Sequence, residues 1–211
     1  MPYSLPSTVV LMRHPQVLSH AVDRIDVRLC WAATELLDIA YRVHADLGSL
    51  RIPPPAVPRG SDRLWEHTCF EAFIAEKGKP EYYEFNFSPS GEWAAYSFRS
   101  YRDGMRLHNE TPPLQIAVRT TTDSLELSTA IDLKRLRILT SNERLQLGLS
   151  AVIEENDGTL SYWALKHPAG KPDFHHPDCF MLEIAPADRG GAQARGLALT
   201  SNPRRERNSS E

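Results

Sequence analysis

The chain has 211 residues, with 24 lysines and arginines against 27 aspartates and glutamates, and a formal net charge of -3. This composition lacks the basic excess that binding to nucleic acid or to an anionic membrane surface requires. It also contains no apolar run long enough to span a bilayer. A chain of this length suits one domain, which would bury roughly 70% of the surface exposed by the unfolded polypeptide.

The N-terminus and the cysteines bear on the cellular compartment. The first residues contain neither a basic start nor an apolar stretch, so we expect no secretory signal. The three cysteines, Cys30, Cys69 and Cys179, form no close pair and lie in or beside apolar runs, which predicts buried thiols rather than disulfides. We therefore expect a reducing compartment, most simply the cytoplasm.

Apolar and polar residues alternate through most of the chain, which is typical of half-buried strands. Prolines, glycines and Asn/Asp turns separate these runs, as in hairpins. The pattern predicts strands at 7–12, 25–31, 37–43, 66–75, 82–87, 93–98, 114–120, 125–131, 145–153, 159–165 and 179–184. Residues 132–139 are the one candidate for a short helix.

Many short strands joined by tight turns indicate an all-β fold, an antiparallel β-sandwich of jelly-roll type with at most one short helix. We place this domain at residues 1–187. The remainder, 188–211, is rich in glycine, arginine, serine and asparagine and offers little to bury, so we predict a disordered tail.

Trp65 and Glu71 are the first candidates for a binding site. They lie six positions apart, so in one unbroken strand both side chains would point to the same face. An indole can stack on a sugar ring while a carboxylate accepts hydrogen bonds from hydroxyl groups. The alternative is that Trp65 covers the core and Glu71 pairs with an arginine. Arg99 and Arg102 follow the second hairpin arm, with Tyr96 and Tyr101 near them, and offer planar donors; each could instead form a salt bridge at the rim, and Arg99 is the one selected.

The loop 166–178 is the longest polar stretch late in the chain. Phe174 could form a second apolar wall opposite Trp65, with Lys171 at the rim. His175, His176 and Asp178 of this loop could instead hold a metal ion, or the loop could be only a structural turn. His67 with His175 could ligate a haem iron, which is an alternative for a redox module.

Motifs for nucleotide, metallopeptidase, serine-hydrolase or dithiol chemistry do not occur in the sequence. This favours binding over catalysis, and we expect no cofactor.

Three segments resemble the DOMON-like superfamily, and within it the group related to family 9 carbohydrate-binding modules: LWEHTCFEAFI (64–74), YEFNFSPSGEW (83–93) and DFHHPDCF (173–180). The resemblance extends over roughly residues 9–184. It implies a β-sandwich that binds sugars without catalysis, or haem in other branches. Trp65 and Glu71 match the first of two sugar-clasping tryptophans and a carboxylate. Phe174 stands in place of the second tryptophan, and Lys171 in place of an amide.

The leading hypothesis is therefore non-catalytic binding of a carbohydrate-like small molecule by Trp65, Glu71, Arg99, Lys171 and Phe174. Three alternatives stay open: a haem or redox module, a hydrolase that uses the late loop, and a protein-interaction module. The sequence leaves the ligand and the oligomeric state undetermined.

Overall fold

The computed structural model describes residues 7–17, 19, 21–108, 114–134 and 144–185. These residues form an almost entirely β-structured antiparallel fold, which confirms the predicted fold class. The strands are β1 (Ser7–Arg13), β2 (Val22–Ala33), β3 (Leu36–Ala45), β4 (Cys69–Glu76), β5 (Tyr82–Phe87), β6 (Trp93–Phe98), β7 (Arg106–Leu107), β8 (Ile116–Thr120), β9 (Ser124–Asp132), β10 (Leu145–Glu154), β11 (Leu160–Ala164) and β12 (Leu182–Ile184).

The strands are hydrogen-bonded in the order β7-β6-β5-β4-β10-β11-β1-β2-β3-β9-β8, with β12 beside the first half of β10. We call β4–β7 and β10–β12 the front sheet, and β2, β3, β8 and β9 the back sheet. Strand β1 joins them, because Ser7 to Leu11 pair with β2 whereas Met12 and Arg13 pair with β11. The sheet thus curls back on itself as a sandwich, which leaves the two sheets facing each other.

Apolar side chains of the two sheets fill the space between them. Tyr41 of β3 illustrates the contact: its ring centroid lies 5.1 Å from that of Phe70 in β4, and its hydroxyl donates a 2.7 Å hydrogen bond to the carbonyl of Glu71. All three residues are buried. The hydroxyl thereby ties the back sheet to the strand that carries a candidate site residue.

The front sheet is covered on its outer face as well. Every residue of β4 is buried, and because successive side chains of a strand point to opposite faces, both faces must be covered. Inner positions such as Phe70 and Phe85 join the core, whereas Phe73 and Tyr96 join a second apolar cluster on the outer face. Phe174 from the late loop belongs to that second cluster.

The described residues include three short 3-10 helices, Leu47–Ser49, Leu64–Glu66 and Pro177–Cys179, of which the last two account for the main departures from the predicted strands. The second replaces the start of the strand predicted at 66–75, and the third the start of that predicted at 179–184. Strand β7 was not predicted. None of the helices in the described ranges is long and apolar enough to cross a membrane.

The predicted helix at 132–139 cannot be compared as a whole. Asp132 ends β9, and residues 135–139 lie outside the described residues. The predicted tail, 188–211, also lies outside them, so the division into domain and tail stays a prediction.

Candidate ligand-binding site

A cavity of about 400 Å³ opens on the outer face of the front sheet. Strands form its base, and three connecting segments form its walls. The lining residues are Trp65, Glu71, Glu84, Tyr96, Phe98, Arg102, Met105, Val152, Tyr162, Pro172, Phe174 and His175. Five aromatic rings and two carboxyl groups thus share one concave surface.

Strand register places the two carboxyl groups next to each other. Glu71 in β4 pairs with Asn86 in β5, and Phe73 pairs with Glu84, so the two glutamates are diagonal neighbours on the same face. Such positions are about 7–8 Å apart in an antiparallel pair. Ser150, opposite Glu71 in β10, donates a 3.3 Å hydrogen bond to Glu71 Oε2. The side chain of Asn86 donates a 2.8 Å hydrogen bond to Glu84 Oε1.

Burial controls the ionisation of both carboxyl groups. Desolvation raises the pKa of Glu84 to about 7, against the lowering effects of Asn86 and Arg102. Desolvation, followed by the charge of Glu84, raises the pKa of Glu71 well above its usual range. Because the two carboxyl groups are neighbours and both are buried, ionisation of both at once is unfavourable, so the pair retains a proton near neutral pH.

Trp65 enters the cavity from the 3-10 helix Leu64–Glu66 and not from a strand. Arg63 precedes this helix in the left-handed conformation, with φ at 62°. The turn presents the indole at the edge of Tyr96, with ring centroids 5.9 Å apart. On another side, Phe174 lies beside Tyr162, with a centroid distance of 6.2 Å.

His175 is held in the cavity by a chain of hydrogen bonds. The backbone N–H of Arg102 donates to the hydroxyl oxygen of Tyr82 at 3.2 Å. Burial raises the pKa of Tyr82 to about 12, so the phenol keeps its proton, and its hydroxyl oxygen lies 2.8 Å from Nδ1 of His175. Desolvation, and then Arg102, lowers the pKa of His175 to about 4, so the imidazole is neutral at pH 7. With the Tyr82 hydroxyl as the donor, the imidazole proton is on Nε2, and this nitrogen lies 3.7 Å from Glu84 Oε2.

Arg102 is the cation at the mouth of the cavity. Its backbone is left-handed, with φ at 54°, in a turn that continues into Gly104 at 68°. The guanidinium Nη2 lies 2.7 Å from Asp173 Oδ1, which also receives the backbone N–H of His175. This ion pair links the loop after β6 to the late loop.

Four residues selected from the sequence meet in this cavity: Trp65, Glu71, Phe174 and His175. No continuous strand connects Trp65 to Glu71, because β4 begins only at Cys69. The turn at Leu64–Glu66 nevertheless brings the indole to the face on which the carboxyl group lies.

The other three selected residues lie elsewhere. Arg99 forms an ion pair with Asp103 at 3.0 Å, and its side chain is 72% exposed. Lys171 lines an adjoining cleft that shares only Arg102 and Pro172 with the cavity. His67 binds Glu154 through Nδ1 at 2.8 Å and is absent from the cavity lining, so it does not share a pocket with His175.

Glu84 was missed from the sequence, whereas Arg102 and Tyr96 were considered together with Arg99 but were not selected as site residues. The alternation of β5 marks Glu84 as facing the same side as Tyr82, and the Asp103–Gly104 turn signal lies directly beside Arg102. For the described residues, no group of three or more His, Cys, Asp or Glu side chains is placed to hold a metal ion.

Solved structures share this fold. A candidate carbohydrate-binding protein from Bacteroides uniformis superposes with a TM-score of 0.66 at 14% identity, covering 85% of each chain. A family 9 carbohydrate-binding module from Caldicellulosiruptor kristjanssonii, in complex with cellotriose, gives a TM-score of 0.51 at 10% identity, covering 89% of this chain and 84% of the module. No protein-family model and no curated protein matches the sequence. The chain thus has the β-sandwich architecture of these structures.

Proposed function

We propose that this protein binds a carbohydrate or a sugar-like small molecule without catalysis, in the cavity on the front sheet. The observation that carries the proposal is the meeting of Trp65 and Phe174, far apart in sequence, across a cavity whose base holds Glu71 and Glu84. Flat apolar rings suit the C–H faces of a pyranose, and carboxyl groups suit its hydroxyls.

The size and chemistry of the cavity support this proposal. A volume of about 400 Å³ falls in the usual range of small-molecule sites, which is about 300–1,000 Å³. The carboxyl oxygens of Glu71 and Glu84 can accept hydrogen bonds from hydroxyl groups. The neutral imidazole of His175 and the guanidinium of Arg102 can donate them. Acceptors and donors thereby converge on the space between the aromatic walls.

The relationship to known folds points in the same direction. The cellotriose-bound module shares the sandwich architecture, and we extend sugar binding to this chain as part of the proposal. Membership of the DOMON-like superfamily and a cytoplasmic location remain predictions from the sequence. The haem alternative receives no support from the placement of His67, because His67 and His175 do not line a common cavity.

Isothermal titration calorimetry with a panel of mono- and disaccharides tests the proposal. At least one saccharide should bind, and Trp65→Ala or Phe174→Ala should weaken it about tenfold or more. Aromatic stacking contributes about 0.5–1.5 kcal/mol beyond buried area, and about 1.4 kcal/mol is tenfold in affinity. If every saccharide fails to bind, or if both variants bind as tightly as the wild type, the proposal is wrong.

Two arginines of the same loop provide a matched comparison. Arg102→Ala should weaken binding, because Arg102 lines the cavity, whereas Arg99→Ala should leave it unchanged. If Arg99→Ala weakened binding and Arg102→Ala did not, Arg99 would be the binding residue, as predicted from the sequence, and the cavity would not be the site. Chromatography of a bound disaccharide after prolonged incubation checks the non-catalytic part, since cleavage would identify a hydrolase.

A further inference from the structure

The cavity lining holds two carboxyl groups, one guanidinium group and one imidazole that is neutral at pH 7. Glu71 and Glu84 are only 3% and 5% exposed, yet both line the cavity. Arg102 is the one cationic side chain in the lining among the described residues, and its guanidinium is already paired with Asp173. Neither glutamate has a cation of its own within ion-pair distance in the described part of the chain.

Both carboxyl groups also have acceptor positions to spare. In the described ranges, Ser150 is the one hydrogen-bond donor to the side chain of Glu71, and the bond is long at 3.3 Å. Glu84 Oε1 receives Asn86, whereas Oε2 lies 3.7 Å from Nε2 of His175, beyond hydrogen-bond length. An ionised carboxylate accepts about four hydrogen bonds. The acceptor positions that protein donors leave open face the cavity, so a ligand that displaces water from it must supply donors of its own.

We propose that the ligand carries a protonated amine, as an amino sugar does, and that its ammonium group docks between Glu71 and Glu84. This inference rests on the proposed function and narrows it to a ligand class. An ammonium group has three donors and one positive charge, which match two neighbouring carboxyl groups without a counter-ion. The aromatic walls then hold the ring from which the amine projects.

Proton release should accompany binding. Burial raises the pKa of Glu84 to about 7, and a docked ammonium would favour its ionised form, so the proton leaves to the solvent. The titratable or charged groups around Glu84 are Cys69, Glu71, Tyr82, Tyr96, Arg102 and His175. Raised pKa values keep the thiol and the tyrosines neutral, and a lowered pKa keeps His175 neutral. The acid pair is therefore the source of a released proton.

Calorimetry with glucose, N-acetylglucosamine, glucosamine and 6-amino-6-deoxyglucose tests the inference near pH 6.5, where sugar amines are largely protonated. At least one amine should bind about tenfold more tightly than its neutral counterpart, because hydrogen bonds to charged groups are the stronger ones. Its apparent binding enthalpy should also change with the ionisation enthalpy of the buffer, which reports proton release. The neutral sugars should show no such change.

Carboxyl-to-amide variants locate the charge. In Glu84→Gln the ratio between amine and neutral-sugar affinities should fall to about one, and Glu71→Gln provides a second variant if the first fails to fold. Glu92→Gln, at the hairpin between β5 and β6 and paired with Arg59, should keep the preference. If neutral sugars bind and amines bind no better, the inference is overturned while the proposed function stands. A preference that survives in both cavity variants also overturns it, and binding by no saccharide overturns the proposed function itself.

Discussion

Replacing Glu84 by glutamine should change how the stability of the fold depends on pH. The folded-state pKa of Glu84 is about 7 against an ordinary value of 4.5, so the folded chain binds the proton more tightly than the unfolded chain. The stability that this proton confers is fully present below pH 4.5 and is lost as the pH rises through 7. A difference of 2.5 pH units corresponds to about 3 kcal/mol.

The difference between wild type and Glu84→Gln isolates this contribution. His175 acts in the opposite direction, since its pKa is lowered to about 4 and its contribution is lost as the pH falls. It titrates in both proteins and largely cancels in the comparison. Relative to Glu84→Gln, the wild type should therefore lose about 3 kcal/mol of unfolding free energy between about pH 4.5 and pH 8. Because Glu71 and Glu84 interact, the transition belongs to the pair.

Urea unfolding followed by tryptophan fluorescence across this pH range measures the difference. Glu183→Gln is a control at a group whose pKa is shifted in the opposite direction, because Lys77 and Arg144 lower the pKa of Glu183. The stability contributed by Glu183 is fully present above pH 4.5 and is lost only as the pH falls below it, so the difference between wild type and Glu183→Gln should stay nearly constant across this range. A difference for Glu84→Gln that stays constant within about 1 kcal/mol would refute the claim that burial keeps this carboxyl protonated.

Two further substitutions test the framework of the site. Tyr41→Phe should lower the unfolding free energy by about 0.5–1.5 kcal/mol in a denaturation curve, because it removes the buried hydrogen bond from the Tyr41 hydroxyl to the carbonyl of Glu71. An unchanged midpoint would contradict that bond. Gly104→Ala should lower the melting temperature more than Gly158→Ala. Both glycines have a positive φ, 68° at Gly104 and 89° at Gly158, so both substitutions strain the backbone. At Gly104 the new Cβ would also lie 2.3 Å from Nε of Arg99, whereas the space around Gly158 is open. Equal losses would mean that Arg99 moves aside without cost.

Local sequence pattern was sufficient for the strands that border the site. The predicted strands 82–87 and 93–98 coincide with β5 and β6. The alternation of side chains along β5 and β6 indicates which of them face the core. Gly91, with φ at 90°, permits the turn between these two strands. Both signals lie within a few residues along the chain, so no knowledge of distant contacts is needed.

The same pattern was insufficient where the chain leaves a strand. Trp65 was expected where the strand predicted at 66–75 begins, yet it lies in a 3-10 turn that the chain enters through the left-handed Arg63. Arg99 and Arg102 are indistinguishable as residue types. Their separation into one that faces solvent and one that lines the cavity depends on the backbone of the turn and on Asp173, about 70 positions later in the chain.

The sequence by itself determined the strands, the sandwich and the chemistry available to a site, because side-chain period and turn residues act locally. The tertiary structure alone decided that Glu71 and Glu84 lie buried side by side at the base of a cavity and that His175 is neutral beside them. Desolvation and charge coupling depend on which surfaces come together, and segments distant in sequence supply those surfaces. The ionisation of the site, and hence the kind of ligand it favours, is therefore a property of the folded chain.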